Sequence, residues 1–485
     1  MPLLDPTTWT GALFTGEWAP AAQTAEAVEP ATGRVLGRIG VAGADDVAAA
    51  AERAAQAQRE WAAAPHTRRA DVLRRAGRLW EEHAAEVEDW LVREAGSVRP
   101  KAGVETHVAA QECYEASALP SRAYGSLLPS ELRRLSLSRR VPAGVVGVIS
   151  PFNFPLILSI RSVAPALALG NAVVLKPDLR TAVCGGMALA RVFEEAGLPP
   201  GVLQVLPGGT EAGQALVEHP AVRIISFTGS TAAGRRVGEA AGRLLKRAHL
   251  ELGGNNALVV LEDADLERAV SAAAWGSYLH QGQICMTTGR HLVHESVLPE
   301  YVERLAEKAR ALPVGDPAAA EVALGPLIDA SQRDRVHALV TASVDAGARL
   351  VAGGEYEDLL YRPTVLADVT ESTPAFREEV FGPVAPVIGF RTLDEAARIA
   401  AAGEYGLSLG ILTSDPLRAL DLADRIPTGL VHINDQTVSD EANVPFGGMA
   451  ASGTGARFGG PEANVEAFTE TQWVTLRSEI PRYPF

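Results

Sequence analysis

The stretch that decides the fold runs from Val145 to Pro177, VVGVISPFNFPLILSIRSVAPALALGNAVVLKP. Val145–Ile149 is a short β-rich run, Pro155 to Leu169 is apolar and in part helical, and Ala172–Leu175 is a strand that stops at Lys176-Pro177. The alternation continues downstream. Thr181–Ala196 reads as a helix ended by Gly197, Val202–Val205 and Arg223–Phe227 as strands, and Thr231 to Ala248 as a Gly/Ala-rich helix. Elements in that order predict an α/β fold with a doubly wound parallel sheet. Ligands of such sheets bind at the carboxyl ends of the strands.

After residue 255 the pattern repeats, with strands at Ala257–Leu261 and His291–Val293 and helices at Asp265–Tyr278, Pro299–Leu312 and Asp334–Ala346, which predicts a second α/β domain. Upstream, Val47 to Ala63 follows Asp45 and Asp46, and Arg68 to Glu94 ends at Gly96; both read as helices. Arg122 to Val141 is Arg-rich with a partial period-two alternation, an exposed hairpin of the kind that pairs with another subunit, and Val465–Leu476 reads as a last strand.

A chain of 485 residues carries a prior of about two or three domains. With 47% hydrophobic and 21% charged residues it can bury a large core unaided. Acidic residues outnumber basic ones, 59 to 44, for a net charge of −15, so neither nucleic acid nor an anionic membrane is expected as a partner. The strongly apolar stretch Ser162 to Leu175 is too short to span a bilayer, and the first ten residues lack a basic, secretory-type start. Three cysteines, Cys113, Cys184 and Cys285, make no disulfide framework and point to a reducing cytoplasm. No paired-cysteine zinc spacing, HExxH or Walker A sequence occurs, so no metal is expected.

Six short segments invite chemistry. Cys285 lies in His280-Gln-Gly-Gln-Ile-Cys285, where Gly282 permits close backbone approach and polar neighbours leave a thiol reachable as a nucleophile; a small buried hydrophobe is the alternative, and it covers Cys113 and Cys184. Glu251 stands between Leu250 and Leu252, so it is either paired or tuned for proton transfer, unless it is a plain strand-edge glutamate. Asn153 in Pro151-Phe-Asn-Phe-Pro155 can offer an amide to a developing oxyanion or simply make a turn. Gly229 and Ser230, between a strand and a helix, suit an anion at a helix N-terminus. Lys176 at a strand end suits a ribose or phosphate. In Glu378-Glu-Val-Phe-Gly-Pro383 a glutamate can hold ribose hydroxyls and a phenylalanine can pack on a flat ring. A GxSxG match at Gly406–Gly410 would make Ser408 a hydrolase nucleophile, but a strand follows it where a helix is needed.

In order, PFNFP, VLKP, FTGST, ELGG, GQIC and EEVFGP span residues 151 to 383, and together they resemble the aldehyde dehydrogenase superfamily. Lys176-Pro-Asp-Leu-Arg180, Gly282-Gln-Ile-Cys-Met286, Ile433-Asn-Asp-Gln-Thr437 and Val444-Pro-Phe-Gly-Gly448 look closest to its benzaldehyde and vanillin dehydrogenase branch. The resemblance implies a Rossmann-type dinucleotide-binding domain (1–121 and 142–253), an α/β catalytic domain (254–445) and a small β oligomerisation element (122–141 and 465–485), in a homodimer or homotetramer. It implies that Cys285 attacks a small aldehyde, that Asn153 and the Cys285 N–H hold the oxyanion, and that Glu251 is general base for hydrolysis of the thioester. Lys176, Gly229, Ser230, Glu379 and Phe381 would hold NAD or NADP. The chain departs from the usual NAD-preferring pattern, which has a glutamate three residues after the lysine. Leu179 stands there, followed by Arg180, so a 2′-phosphate is not repelled and Arg180 is expected to attract one. Phe154, Leu158 and Tyr278 are expected near the substrate, with Arg161 either inward, favouring an acidic substrate, or structural. An aromatic aldehyde is the favoured substrate. A semialdehyde or aliphatic aldehyde, a serine hydrolase using Ser408, or a catalytically silent binding protein are the other readings.

Overall fold

The computed structural model describes residues 2–485. Two seven-stranded sheets organise it. The first runs Arg247–Glu251, Val222–Thr228, Val145–Ile149, Ala172–Lys176, Leu203–Val205, Ala12–Phe14, Trp18–Pro20. Its first five strands are mutually parallel, and the last two pairings, both made by Ala12–Phe14, are antiparallel. Val145–Ile149 and Ala172–Leu175 are buried throughout, because helices cover both faces; this is why they read as unbroken apolar runs. Chain order reverses beside Val145–Ile149, and the register aligns Ile149 with Lys176 and Phe227, and Thr228 with Glu251. The candidate residues of this lobe therefore share one carboxyl edge.

The second sheet runs Arg349–Ala352, Thr364–Ala367, Val384–Phe390, Thr288–His294, Asn256–Val260, Ser408–Leu412, Leu430–Ile433, parallel except for its first pair. A third sheet pairs Leu135–Pro142 with Gly125–Leu127 and, over eight residues, with the tail strand Thr469–Leu476. The hairpin and the tail thus form one element, and Leu127, Leu135, Trp473 and Leu476 are exposed on it. Among the described residues, no helix is long and apolar enough to cross a membrane.

Several predicted boundaries differ. The helix expected over Arg68–Glu94 is two, His66–Glu82 and Ala84–Ala95, broken at His83. The break lets Trp80 stay in the core while Trp90 meets Trp9 edge-on at 5.6 Å. Thr181–Ala196 is α-helical only from Ala188. Before that, a π-type turn at Val183–Met187 gives the N–H groups of Val183 and Cys184 to the buried carboxylate of Glu94, at 2.9 and 2.8 Å. The Thr231 helix stops at Arg243; Leu245, at φ 55°, turns the chain, and Arg247–Glu251 becomes an edge strand that delivers Glu251 to the site. Val465–Phe468 completes a helix, Pro461–Phe468, and the strand begins only at Thr469.

Candidate active site

The two sheets meet across a crevice. The first lobe presents the carboxyl ends of its strands, whereas Cys285 and Glu379 precede the strands Thr288–His294 and Val384–Phe390, at the amino ends of the second sheet. The Leu252–Asn255 segment joins the two. Gly253 leaves room in it for Glu379, since a Cβ there would lie 2.2 Å from the carboxylate oxygen in its present position.

Cys285 follows three consecutive left-handed residues, His280, Gln281 and Gly282. A Cβ on Gly282 would lie 2.1 Å from the carbonyl oxygen of Gly382, so glycine is required there. Gln281 anchors the strained turn by donating to the carbonyls of Gly96 (3.0 Å) and Pro326 (2.7 Å). Asn256 donates to the carbonyls of Cys285 and Thr287, both at 2.8 Å. The thiol is half-buried, in contrast to the fully buried Cys113 and Cys184. Burial, then the carboxylates of Glu379, Glu251 and Asp440, push it up to about 12.

Glu251 is buried at the end of its strand. One carboxylate oxygen accepts from the N–H of Gly448 at 3.3 Å, and the other has no partner in the chain. Burial holds this carboxyl well above the usual range; Arg457 opposes the shift only in part. Asn153 is buried, its carbonyl accepting from Lys101 at 2.9 Å. Asn153 and Cys285 both line a cavity of about 280 Å³ whose wall is mostly apolar, including Phe154, Leu158, Leu279, Met286 and Phe446. Trp275, 49% exposed, also lines it.

On the cofactor side, Lys176 Nζ donates to the carbonyls of Gly208 (2.7 Å) and Pro177 (3.3 Å), and burial lowers its pKa. Ser230 caps the helix Thr231–Arg243, its hydroxyl accepting from Ala233 N–H at 3.4 Å, and Gly229 N–H donates to the Glu251 carbonyl. Glu379 accepts from Gly254 N–H at 2.9 Å through one oxygen, and burial raises it to about 7. Phe381, at φ 54°, stands edge-on to Phe152 at 6.0 Å. An ammonium held only by carbonyls, a capped helix N-terminus and a carboxylate with a spare oxygen are the donor and acceptor set that a dinucleotide's hydroxyls and phosphates require.

Two expected roles need correction. Tyr278 is not on the cavity wall: it packs in the second lobe's core, with its hydroxyl 3.3 Å from the Thr364 carbonyl. Helical spacing turns Trp275 toward the cavity instead, and Leu279, just past the helix, joins it. Arg180 is not a free cation. It pairs with Asp178 at 2.9 Å and Asp329 at 2.7 Å and lies 4.2 Å over the Phe152 ring, while Leu179 packs on the core. Ser408 is no nucleophile elbow either, since it opens a buried strand and donates its hydroxyl to the Thr437 carbonyl at 2.7 Å.

Sequence reasoning named Arg161 near the substrate but missed Lys101 and the acids that pair with both cations. Arg161 does face inward, but it is matched by Glu112 at 3.2 Å and by Asp440. Lys101 is matched by Glu105 at 2.5 Å. The signal was present in the helix Arg99–Ala118, where Lys101 and Glu105 stand four apart and no face is consistently polar.

A thiol and an amide on one cavity, with the raised Glu251 carboxylate acting on that thiol and a dinucleotide-type donor set beside them, fit a nicotinamide-dependent oxidoreductase. The chain belongs to the aldehyde dehydrogenase family, whose profile matches residues 18–474. It is 69% identical, over the full length of both chains, to a vanillin dehydrogenase from an Amycolatopsis species. It is 51% identical to a benzaldehyde dehydrogenase [NAD(+)] from Pseudomonas putida, covering 98% of each. The crystal structure of a salicylaldehyde dehydrogenase from Pseudomonas putida superposes with a TM-score of 0.94 at 35% identity, covering 98% of this chain and 99% of that one.

The high thiol pKa has a testable sign. The thiolate is the reactive form, so the rate of Cys285 alkylation by iodoacetamide, followed by mass spectrometry in the free enzyme, should climb about tenfold per pH unit from pH 7 to 10. A plateau near pH 8 would show a thiol acidified well below its expected value.

Proposed function

We propose that this chain oxidises a neutral aromatic aldehyde to its carboxylic acid with NAD or NADP. The observation that carries the reading is the apolar cavity onto which Cys285 and Asn153 both open. The names of the vanillin and benzaldehyde dehydrogenase relatives agree with it. The two cations on the cavity wall, Lys101 and Arg161, are already neutralised by Glu105, Glu112 and Asp440, so a carboxylate-bearing semialdehyde finds no charge to meet.

In the mechanism, Cys285 gives up its thiol proton to solvent and the thiolate Sγ bonds to the aldehyde carbon as the carbonyl π pair moves onto oxygen, whose negative charge the Asn153 amide and the Cys285 N–H receive. Bound nicotinamide supplies the acceptor for the hydride that leaves that carbon. Lys176, Gly229 and Ser230 would hold the nucleotide's ribose and phosphates, and Glu379 and Phe381 its nicotinamide end. Cys285 then carries the acyl group as a thioester. Glu251 takes a proton from water as the water oxygen bonds to the acyl carbon; the carbon–sulfur bond breaks, and the acid leaves. The unpartnered oxygen of Glu251 is free for that proton.

NADP is accepted beside NAD, because no carboxylate stands at Leu179; Arg180 adds nothing, its guanidinium being spent on Asp178 and Asp329. The element formed by the hairpin and the tail joins copies of the chain into a dimer or tetramer, supported by the exposed Leu127, Leu135, Trp473 and Leu476. The first lobe is then the dinucleotide-binding domain and the second the catalytic one.

With benzaldehyde or vanillin and NAD, Cys285→Ala should show no turnover, and Asn153→Ala should lose about 10²–10³ in kcat. Glu251→Gln should give a single burst of NADH and then stall. Rates with succinic semialdehyde that exceed those with aromatic aldehydes would sink the substrate assignment. Arg180→Ala should leave the ratio of NADP to NAD kcat/KM within about threefold, since the side chain is engaged elsewhere; a large loss confined to NADP would restore its phosphate role. In analytical ultracentrifugation, a chain ended at Phe468 should sediment as a monomer and the intact chain as a dimer or tetramer.

A further inference from the structure

One buried cation reaches the oxyanion loop from outside the catalytic motifs. Lys101, on the helix Arg99–Ala118, is 2% exposed, and its ammonium donates to Ser97 Oγ (3.0 Å), Glu105 Oε2 (2.5 Å) and the carbonyl of Asn153 (2.9 Å). All three of its N–H groups are therefore assigned. The other oxygen of Glu105 accepts from the N–H of Leu156 at 2.7 Å, with that of Ile157 at 3.4 Å, in the first turn of the helix Pro155–Ala168. The pair thus grips the Asn153 loop at two points, its own carbonyl and the helix start that follows. Phe154 closes the arrangement, its ring 4.3 Å from the Lys101 ammonium and edge-on to His280 at 5.6 Å.

We propose that Lys101 is a positioning residue for Asn153, holding its peptide so that the side-chain amide meets the developing oxyanion. Lys101 makes no bond to the reacting atoms and acts only through Asn153. The proposal rests on the role assigned to Asn153 above. A carbonyl held by a buried ammonium resists rotation of its own peptide, and rotation there would swing the amide away from the thiol. Glu105 alone cannot do this, because it binds the far side of the loop and leaves the Asn153 carbonyl free. Charge-assisted bonds of this kind are shorter and stiffer than neutral ones.

Lys101→Met would strand a buried carboxylate, so the test uses Lys101→Met with Glu105→Gln, which removes both charges and keeps an acceptor for Leu156. Lys101→Gln with Glu105→Gln is the partner variant, restoring a neutral donor. With benzaldehyde and NAD, the methionine variant should lose about 10- to 100-fold in kcat with KM within threefold, and the glutamine variant should regain at least fivefold of that loss. Alkylation of Cys285 by iodoacetamide, which forms no oxyanion, should stay within twofold of wild type in both. In an Asn153→Ala background the Lys101→Met loss should shrink to less than twofold, because the group being positioned is gone. The proposal is overturned by a kcat within twofold of wild type, by a loss of undiminished size in the Asn153→Ala background, or by alkylation falling in step with kcat. Failure of both variants to fold makes the lysine a stability element and overturns it too. If Asn153→Ala itself leaves kcat unchanged, the oxyanion role fails, and with it the basis of the proposal; if only the Lys101 variants are silent, the positioning role alone is lost.

Discussion

At Gly282 the chain passes so close to Gly382 that a Cβ would lie 2.1 Å from that residue's carbonyl oxygen. Much of the site follows from this approach. It presses the loop ending at Cys285 against the loop that carries Glu379 and Phe381, and so places thiol and carboxylate in each other's field. The contact requires left-handed backbone at His280 and Gln281 as well, at roughly 1–2 kcal/mol each. The two hydrogen bonds of Gln281 to the carbonyls of Gly96 and Pro326 offset part of that strain and tie the loop to two separate segments. Gly253, on the opposite side, leaves the space that the Glu379 carboxylate occupies.

Electrostatics follows from this crowding. Asp440 lines the cavity, Glu112 pairs with Arg161 of its wall, and Glu251 and Glu379 act on the Cys285 thiol; burial raises each of them. Their cations are few and committed: Arg161 serves Glu112 and Asp440, and Lys101 serves Glu105. Leaving one member of such a pair unmatched would be costly, since an uncompensated charge would then stay buried. The outcome is a site whose acids and thiol ionise less readily than usual, lined by apolar surface. That environment suits a neutral planar substrate, and it keeps Glu251 able to exchange a proton once water enters.

How much of this was legible depended on range. Val145–Ile149 and Ala172–Leu175 were readable because a strand buried on both faces announces itself in four or five consecutive residues. Arg247–Glu251 was not, because the Gly/Ala-rich helix before it runs on in composition and only the left-handed Leu245 divides them. Tyr278 was misplaced for a related reason. Helical spacing shows that Trp275 and Tyr278 point differently, but not which of them meets the cavity. Arg180 was misread because its partners stand at positions 178 and 329, and the second is remote in sequence. Lys101 and Glu105 could have been suspected as an i,i+4 pair, yet nothing local tells a buried pair from a solvated one.

The amino-acid sequence by itself determined the alternation of strands and helices, the pairing-prone hairpin, and the six motifs that carry Cys285, Glu251, Asn153 and the candidate nucleotide-binding residues, because each is written in a few adjacent residues. Only the tertiary structure decided that the second sheet meets the crevice with the amino ends of its strands, that Arg180 and Arg161 are neutralised, and that Lys101 holds the Asn153 carbonyl. The physical reason is that a side chain's charge state and direction depend on partners tens to hundreds of residues away, and burial, which sets the strength of each pairing, exists only once the chain has closed on itself.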